Sequence, residues 1–287
     1  MNYINLGCGR RFHSVWTNLD FVSTDADVIA YDITQGIPFA DVSFDVVYHS
    51  HLLEHLSRQQ AEFLLRECYR VLRPKSVLRV VVPDLEQIAR TYLIALEQAS
   101  SSSQEWAANY EWILLEMYDQ TVREHSGGKM AEYLTRQNIP NVEFILNRCG
   151  MEAKNLIEAG CQQREQREQH QPDQVQDAKL IDLLKQIYRF FRYPNYRRES
   201  LLKLLLNKEY TALQIGRFRQ SGEVHQWMYD RYSLGLLLEK AGFEAITQRA
   251  ATESYILDWA SFNLDTEPDG TVYKPDSLYM EAIKPVI

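Results

Sequence analysis

An α/β fold built on an open, mostly parallel sheet is the class this sequence predicts, and three observations carry the prediction. Over the first 84 residues, short apolar segments that end in Gly, Asp or His follow one another, separated by turn signals. A helical period then appears at 58–72, where Ala61, Leu64, Leu65, Cys68, Val71 and Leu72 share one face. Residues 77–82 are almost continuously apolar, as a parallel strand buried on both faces requires. Strands alternating with helical periods imply a parallel sheet.

The elements follow in order. Tyr3–Leu6 is a strand that runs into the tight turn Gly7-Cys8-Gly9. Residues 17–19 form a short strand ending at Asp20, and 28–31 another ending at Asp32. A fourth covers 44–48 and ends at His49. The helix at 58–72 is expected to stop at Arg73-Pro74, because proline cannot continue it. From Leu85 to Gln220 the pattern is helical. There Trp106, Tyr110, Ile113 and Met117 make a stripe that reads as core packing. Residues 162–176 are polar and Gln-rich, and they read as a mobile loop or an irregular helix end. A helix at 232–241 is closed by Gly242. Strands follow at 245–249 and 278–283, with a turn at Glu267-Pro268-Asp269-Gly270 between them. The domain reading is 1–84 for the cofactor half of a core, 85–220 for a helical insertion on the acceptor or lid side, and 221–287 for the rest of the core.

Bulk properties narrow the function. The 287 residues suffice for one large domain with an insertion. A formal charge of -8 argues against a general nucleic-acid binder, which usually shows a basic surplus. Cys8, Cys68, Cys149 and Cys161 include no CxxC pair, so no metal site is expected. Cys68 reads as core. The N-terminus has no charged region followed by an apolar run, and no apolar run approaches the roughly 20 residues of a membrane helix. A reducing, cytoplasmic setting is the expectation.

The chemistry concentrates at strand ends. Gly7 and Gly9 lack a Cβ, so the backbone there can approach a ligand closely. Asp20 closes the next strand, where a carboxylate can accept hydrogen bonds from both ribose hydroxyls. Asp32 closes the strand after that. Ligands of open sheets sit over the carboxyl ends of strands, so these tips converge on one site. A dinucleotide needs GxGxxG and a helix start for its phosphates. Here Phe12 occupies the third glycine position and Arg10-Arg11-Phe12-His13 is bulky. A cofactor without phosphate fits better.

Several segments carry a family resemblance. Asn5-Leu6-Gly7-Cys8-Gly9 resembles the first motif of class I S-adenosylmethionine-dependent methyltransferases, and Asn18-Leu19-Asp20 resembles their acidic second motif. Residues 37–48, Ser50-His51-Leu52-Leu53-Glu54-His55-Leu56 and Glu67-Cys68-Tyr69-Arg70-Val71-Leu72-Arg73-Pro74 are similar to later segments of the methyltransferase type 11 branch. Lys75-Ser76 replaces a Gly-Gly pair of that branch, and Arg11 stands where a third glycine often sits. The resemblance implies a Rossmann-like sheet of seven strands, the last one reversed, with helices on both faces and a long helical insertion before the last two strands. It implies S-adenosyl-L-methionine as cofactor. Leu6, Gly7, Cys8, Gly9, Asp20 and Phe21 would hold the methionine and ribose ends, Asp32 and Ile33 would lie by the adenine, and His49, Ser50 and His51 would lie near the methyl group.

Methyl transfer is an in-line displacement helped by alignment, and a base assists a hydroxyl acceptor. His51 is the first candidate base. His225, just before the helix that returns to the sheet, is the second. Glu54 and His55 read as structural, and Asp84 as a helix cap or an acceptor ligand. Residues 188–206 interleave aromatics, arginines and leucines. They read as an amphipathic helix packed on its own domain, or more sharply as a surface for anionic lipid or a lipid-linked acceptor. RNA is a weaker third reading. The expected acceptor is an oxygen or nitrogen of a small molecule, sugar or lipid-linked compound. A cofactor-binding module without turnover and a nicotinamide oxidoreductase are the alternatives.

Overall fold

The computed structural model describes residues 1–101, 104–169 and 175–286. Its centre is a seven-stranded sheet made of β1 (Tyr3–Leu6), β2 (Thr17–Asp20), β3 (Val28–Ala30), β4 (Phe44–Ser50), β5 (Leu72–Pro83), β6 (Glu244–Arg249) and β7 (Ser277–Ile283). The spatial order is β3-β2-β1-β4-β5-β7-β6. β1 pairs in parallel with both β2 and β4, and β5 continues the parallel set. β7 runs antiparallel to both β5 and β6. The order reverses between β1 and β4, which is where an open sheet of this kind places its ligand crevice.

Period-two alternation sorts the strands onto two faces. On one, Leu78, Val80 and Val82 of β5 and Leu278, Met280 and Ala282 of β7 join Ile4, Leu6 and Val47 in the main core. Two helices cover this face. α1 (Arg58–Val71) begins at a Ser57 capping box and presents Ala61, Leu64, Leu65 and Cys68. Arg73-Pro74 does not merely stop α1: the chain turns straight into β5 at Leu72. The helix labelled α9 below (Arg231–Lys240), with Leu234 and Leu238, completes the cover.

On the other face Trp16, Val46, Tyr48, Val81 and Tyr279 meet Trp259, Ile256 and Leu264. No helix fits between Gly9 and Asp20, and residues 7–16 are turns. The chain between β6 and β7 lies over this face instead, with a short 3-10 turn at Trp259–Phe262. Arg79, fully buried in β5, fastens it. Its guanidinium bonds Asp265 at 2.8 Å and Glu281 at 2.9 Å, and donates to the carbonyls of Ala250 and Glu253.

The helical middle comprises α2 (Leu85–Ser100), α3 (Gln104–Val122), α4 (Gly128–Leu134), α5 (Val142–Gln169), α6 (Val175–Arg192), α7 (Pro194–Leu206) and α8 (Glu209–Arg219), before α9. Asp84 caps α2 through the Glu86 and Gln87 amides. Trp106, Tyr110, Ile113 and Met117 pack with Ile88 and Ala95, as the stripe predicts. A separate core forms around Trp112, Tyr133, Leu134 and Ile145. α5 is broken at Gly150, whose φ is 60°.

Two expectations for the middle change. Residues 162–169 continue α5 and 175–176 open α6, so they are helical where a loop was the first reading; 170–174 lie outside the described residues. Residues 188–206 form helices, but they do not sink into their own domain. α7 and α8 bury no residue. Phe191, Leu204 and Leu205 are 72%, 77% and 77% exposed. No described helix is long and apolar enough to cross a membrane.

Candidate active site

The site is assembled from strand tips. Gly7 leaves β1 with φ 63°, and a Cβ there would stand 2.8 Å from Leu52 Cδ1. Glycine is therefore required by both the turn and the packing. Gly9, φ 56°, has open space where a Cβ would be, and its amide donates to Asp20 Oδ2 at 2.7 Å. That bond ties the β1 turn to the end of β2. Asp32 caps the short turn after β3 by accepting from the Thr34 amide and hydroxyl, which hold its carboxyl below the ordinary carboxylate range.

Three cavities run in series along these tips. The first, about 390 Å³, is lined by Gly7, Asp20, Phe21, Tyr31, Asp32 and Ile33 on the sheet side. Leu52, His55, Gln60 and the 220–222 turn close it. The second, about 170 Å³, touches Gly7, Cys8, Gly9, Tyr48, Ser50 and His51. The third, about 270 Å³, opens beyond His51 into the helical middle, among Trp112, Glu116, Met130, Cys149, Lys274 and Asp276. Gly7 belongs to the first two and His51 to the last two.

Among the described residues, no lysine or arginine lines the first cavity, whereas Asp20 and Asp32 do. A pyrophosphate would meet two carboxylates there and no lysine or arginine. A nucleoside with hydroxyls and an exocyclic amine finds acceptors and apolar walls. Arg11 and Lys274 line the second cavity and bring positive charge to it. Arg11 is itself anchored, bonding the Leu264 carbonyl at 2.7 Å and Glu267 at 2.9 Å and lying 3.9 Å over Tyr273. The residue that displaces a third glycine thus ties the β1 turn to the segment covering the sheet. A nucleoside joined to an amino acid fits this charge sequence, with carboxylates at the nucleoside end and cations at the carboxylate end.

Three residues expected at the site lie elsewhere. Leu6 is fully buried in the main core. His49 alternates onto the core face of β4 with Val47, is fully buried, and neither ring nitrogen finds a partner. Burial lowers it to about 4. His225 does not line the third cavity. Its ring packs edge-on against His55, centroids 4.7 Å apart, and burial lowers it to about 3. Its backbone amide bonds the Gln120 carbonyl, which pins the loop inward.

His51 stays at the junction. Its φ of 50° is in the left-handed region, which is uncommon for a residue with a Cβ. Its amide donates to the Val81 carbonyl, extending the β4–β5 ladder one step. The ring lies between two partners, with Nδ1 3.2 Å from Glu54 Oε1 and Nε2 2.9 Å from Ser277 Oγ. Burial opposes a charge on Glu54, yet the contact with His51 and the nearby imidazoles hold its carboxyl at about 2. Glu54 therefore does more than cap a turn.

Sequence reasoning missed the far walls. Gln220, Ser221 and Gly222 reach the first cavity from the end of α8. Lys274 and Asp276 reach the third from the approach to β7, with Lys274 paired to Glu152 at 2.6 Å. Burial, and next the charge of Glu116, push Asp276 up to about 6. Their only local signal was Lys274-Pro275-Asp276 ahead of the last strand.

The sequence model of the methyltransferase domain family matches residues 5–80. That segment is similar to a methyltransferase domain. It runs from the end of β1 through β2 to β4 and α1 into most of β5, with both glycines, Asp20 and Asp32. S-adenosyl-L-methionine is the cofactor of such domains, and the donor set above suits it. Among solved structures, an S-adenosylmethionine-dependent methyltransferase from Archaeoglobus fulgidus is 11% identical, over 99% of this chain and 86% of that one, with a TM-score of 0.35. A complex of the Haloferax volcanii Trm112 methyltransferase activator with a methyltransferase gives 11% identity over 99% and 83%, TM-score 0.36. PKMT2 from Rickettsia typhi, solved with AdoHcy, gives 10% over 100% and 49%, TM-score 0.36. No curated protein matches the chain by sequence.

Proposed function

We propose that this methyltransferase transfers the methyl group of S-adenosyl-L-methionine to an oxygen or nitrogen of a small molecule seated in the cavity beyond His51. The observation that carries the reading is that neighbouring cavities share a lining residue, Gly7 between the first and second and His51 between the second and third. The nucleoside would occupy the first, beside Asp20 and Asp32, with Ile33 and Phe21 at the base. The amino-acid end would occupy the second, against the backbone of 7–9 with Cys8 and Ser50 beside it. The cofactor supplies an electrophilic methyl on a sulfonium, and the junction at His51 faces the acceptor side.

The chain's own part is alignment and proton handling. Apolar walls such as Trp112 and Met130 exclude water from the acceptor, which strengthens the alignment effect. With the Nδ1 proton directed at Glu54, the Nε2 lone pair of His51 is the one presented to the acceptor side, where Ser277 Oγ is its present partner. A proton taken at Nε2 makes an imidazolium that the Glu54 carboxylate stabilises. Asp276, whose carboxyl burial pushes up to about 6, can bind an amine or hydroxyl of the acceptor.

The acceptor class includes lipid-linked compounds, and a specific surface favours that membership. Residues 184–219 carry nine basic and two acidic side chains in a chain of net charge -8. The same stretch exposes Tyr188, Phe191, Leu204 and Leu205. Basic charge with exposed apolar side chains suits an anionic lipid surface.

The test is incubation with methyl-labelled cofactor and an extract of the source cells, followed by identification of what gains label. Label should appear in a small molecule and should vanish with His51→Asn, which tolerates the left-handed backbone, while calorimetric cofactor affinity persists. Binding of NAD(H) without binding of S-adenosylmethionine would overturn the reading.

A further inference from the structure

Four of the chain's seven histidines, His49, His51, His55 and His225, stand around one buried carboxylate, Glu54. Methyl transfer as described uses only His51. The rest of the cluster is unsatisfied. Oε1 of Glu54 meets only His51 Nδ1, at 3.2 Å, and among the described residues Glu54 Oε2, His55 Nδ1 and His225 Nδ1 have no hydrogen-bond partner. Glu54 is 1% exposed and His225 5%. A buried polar atom left without a partner costs about 1–3 kcal/mol, so a native fold seldom keeps several together without a ligand.

The geometry points to that ligand. One donor atom each from Glu54, His55 and His225 lies within 4.8 Å of the other two. Glu54 and His55 come from the turn after β4, and His225 from the loop before α9. We propose that these three residues bind a divalent transition-metal ion. Two imidazoles and one carboxylate form a nitrogen-rich set that suits Zn²⁺, Fe²⁺, Co²⁺ or Ni²⁺, whereas Mg²⁺ and Ca²⁺ prefer oxygen. Three protein ligands leave a coordination position open, the arrangement of catalytic ions and not of closed structural ones. His55 also lines the first cavity, so the ion would sit beside the nucleoside.

A second group, Glu116, Cys149 and Asp276, is also closely spaced but does not qualify. Arg148 already holds both Glu116 oxygens, at 2.9 and 3.0 Å through Nε. No local spacing announces the histidine site, because its third ligand is 170 residues from the second.

The test is equilibrium dialysis of the full chain, purified without chelators, against Co²⁺ and then Zn²⁺, read by elemental analysis and by the visible ligand-field bands of Co²⁺. The wild-type protein should take up about one ion per chain, with Co²⁺ bands that Zn²⁺ displaces. His55→Gln and His225→Gln should each weaken uptake about tenfold or more. His125→Gln, at an exposed site, should not change it. Circular dichroism and thermal unfolding check that each variant folds. Absence of stoichiometric uptake by the wild-type chain overturns the proposal whatever the variants do, and so does uptake that survives in both folded variants. Cofactor binding is measured apart from the ion, so failure of the metal site and failure of the methyltransferase reading give different results.

Discussion

Asp20 already commits one carboxylate oxygen to the Gly9 amide, so it is oriented before any ligand arrives. A ribose then meets a fixed acceptor and not a mobile one. Asp20→Ala should weaken cofactor binding by about 1.5–3 kcal/mol, because charge-assisted hydrogen bonds are lost and the β1 turn loses its tie to β2. Calorimetry checks this, and unchanged affinity would remove Asp20 from the site. The buried imidazoles make a second prediction. His49 and His225 fall to about 4 and 3 in the fold from an ordinary 6.5, and Glu54 falls to about 2 from 4.5. Below pH 6.5 the unfolded chain takes up protons that the folded chain refuses, so stability declines as pH drops. Asp276, raised to about 6, acts in the opposite sense between pH 6 and 4 against the two histidines, and Glu54 adds its own loss below pH 4.5. The thermal midpoint should therefore hold above pH 7 and fall steadily from pH 6.5 to 4, with part of the slope missing in His225→Gln. A flat profile over that range would show that these rings protonate freely in the fold.

At the scale of elements, the covering of the second sheet face depends on one side chain in β5. Arg79 holds Asp265 and Glu281 where both are buried. Removing it leaves Asp265 without a cation and Glu281 with only Arg249, 3.5 Å away, and breaking a buried pair in this way costs about 3–5 kcal/mol. Arg79→Ala should show that loss in denaturant unfolding, and should loosen 250–265 to proteolysis before the helical face opens. A loss under 1 kcal/mol would mean the pair is solvated. Arg79 also marks the limit of what the chain makes legible. The strand around it is readable because Val77, Leu78, Val80, Val81 and Val82 admit little else, and the same local rules expose α1 and the turn at 267–270. The glycines and the two aspartates were legible because each ends its own strand. The partners of Arg79, the switch of His225 from cavity wall to buried ring, and the arrival of Lys274 and Asp276 at the third cavity depend on contacts between distant parts of the chain. No spacing encodes them. His49 was misplaced for a simpler reason: period-two alternation puts Ser50, not His49, on the cavity side of β4.

On the whole molecule, charge is sharply divided. Residues 184–219 hold a surplus of seven positive charges, and the remainder of the chain is strongly acidic. The apolar side chains that would ordinarily anchor α6 to α8 in a core are exposed there, with Leu204 and Leu205 at 77%. The helical middle has its own packed cores around Trp112 and Ile113, so this stretch is not needed to complete them. A basic, apolar surface of this kind should bind vesicles containing anionic lipid and ignore neutral ones, through charge at long range and through Phe191, Leu204 and Leu205 at contact. Salt separates the two contributions, because screening acts on the first and leaves the second. Cosedimentation with anionic vesicles should be strong at low ionic strength and reduced at high salt. Leu204→Gln with Leu205→Gln should weaken it at both, and cofactor affinity should not move. Equal partition into neutral and anionic vesicles, or none into either, would leave the exposed leucines to another partner and remove the lipid surface from the acceptor's route to His51.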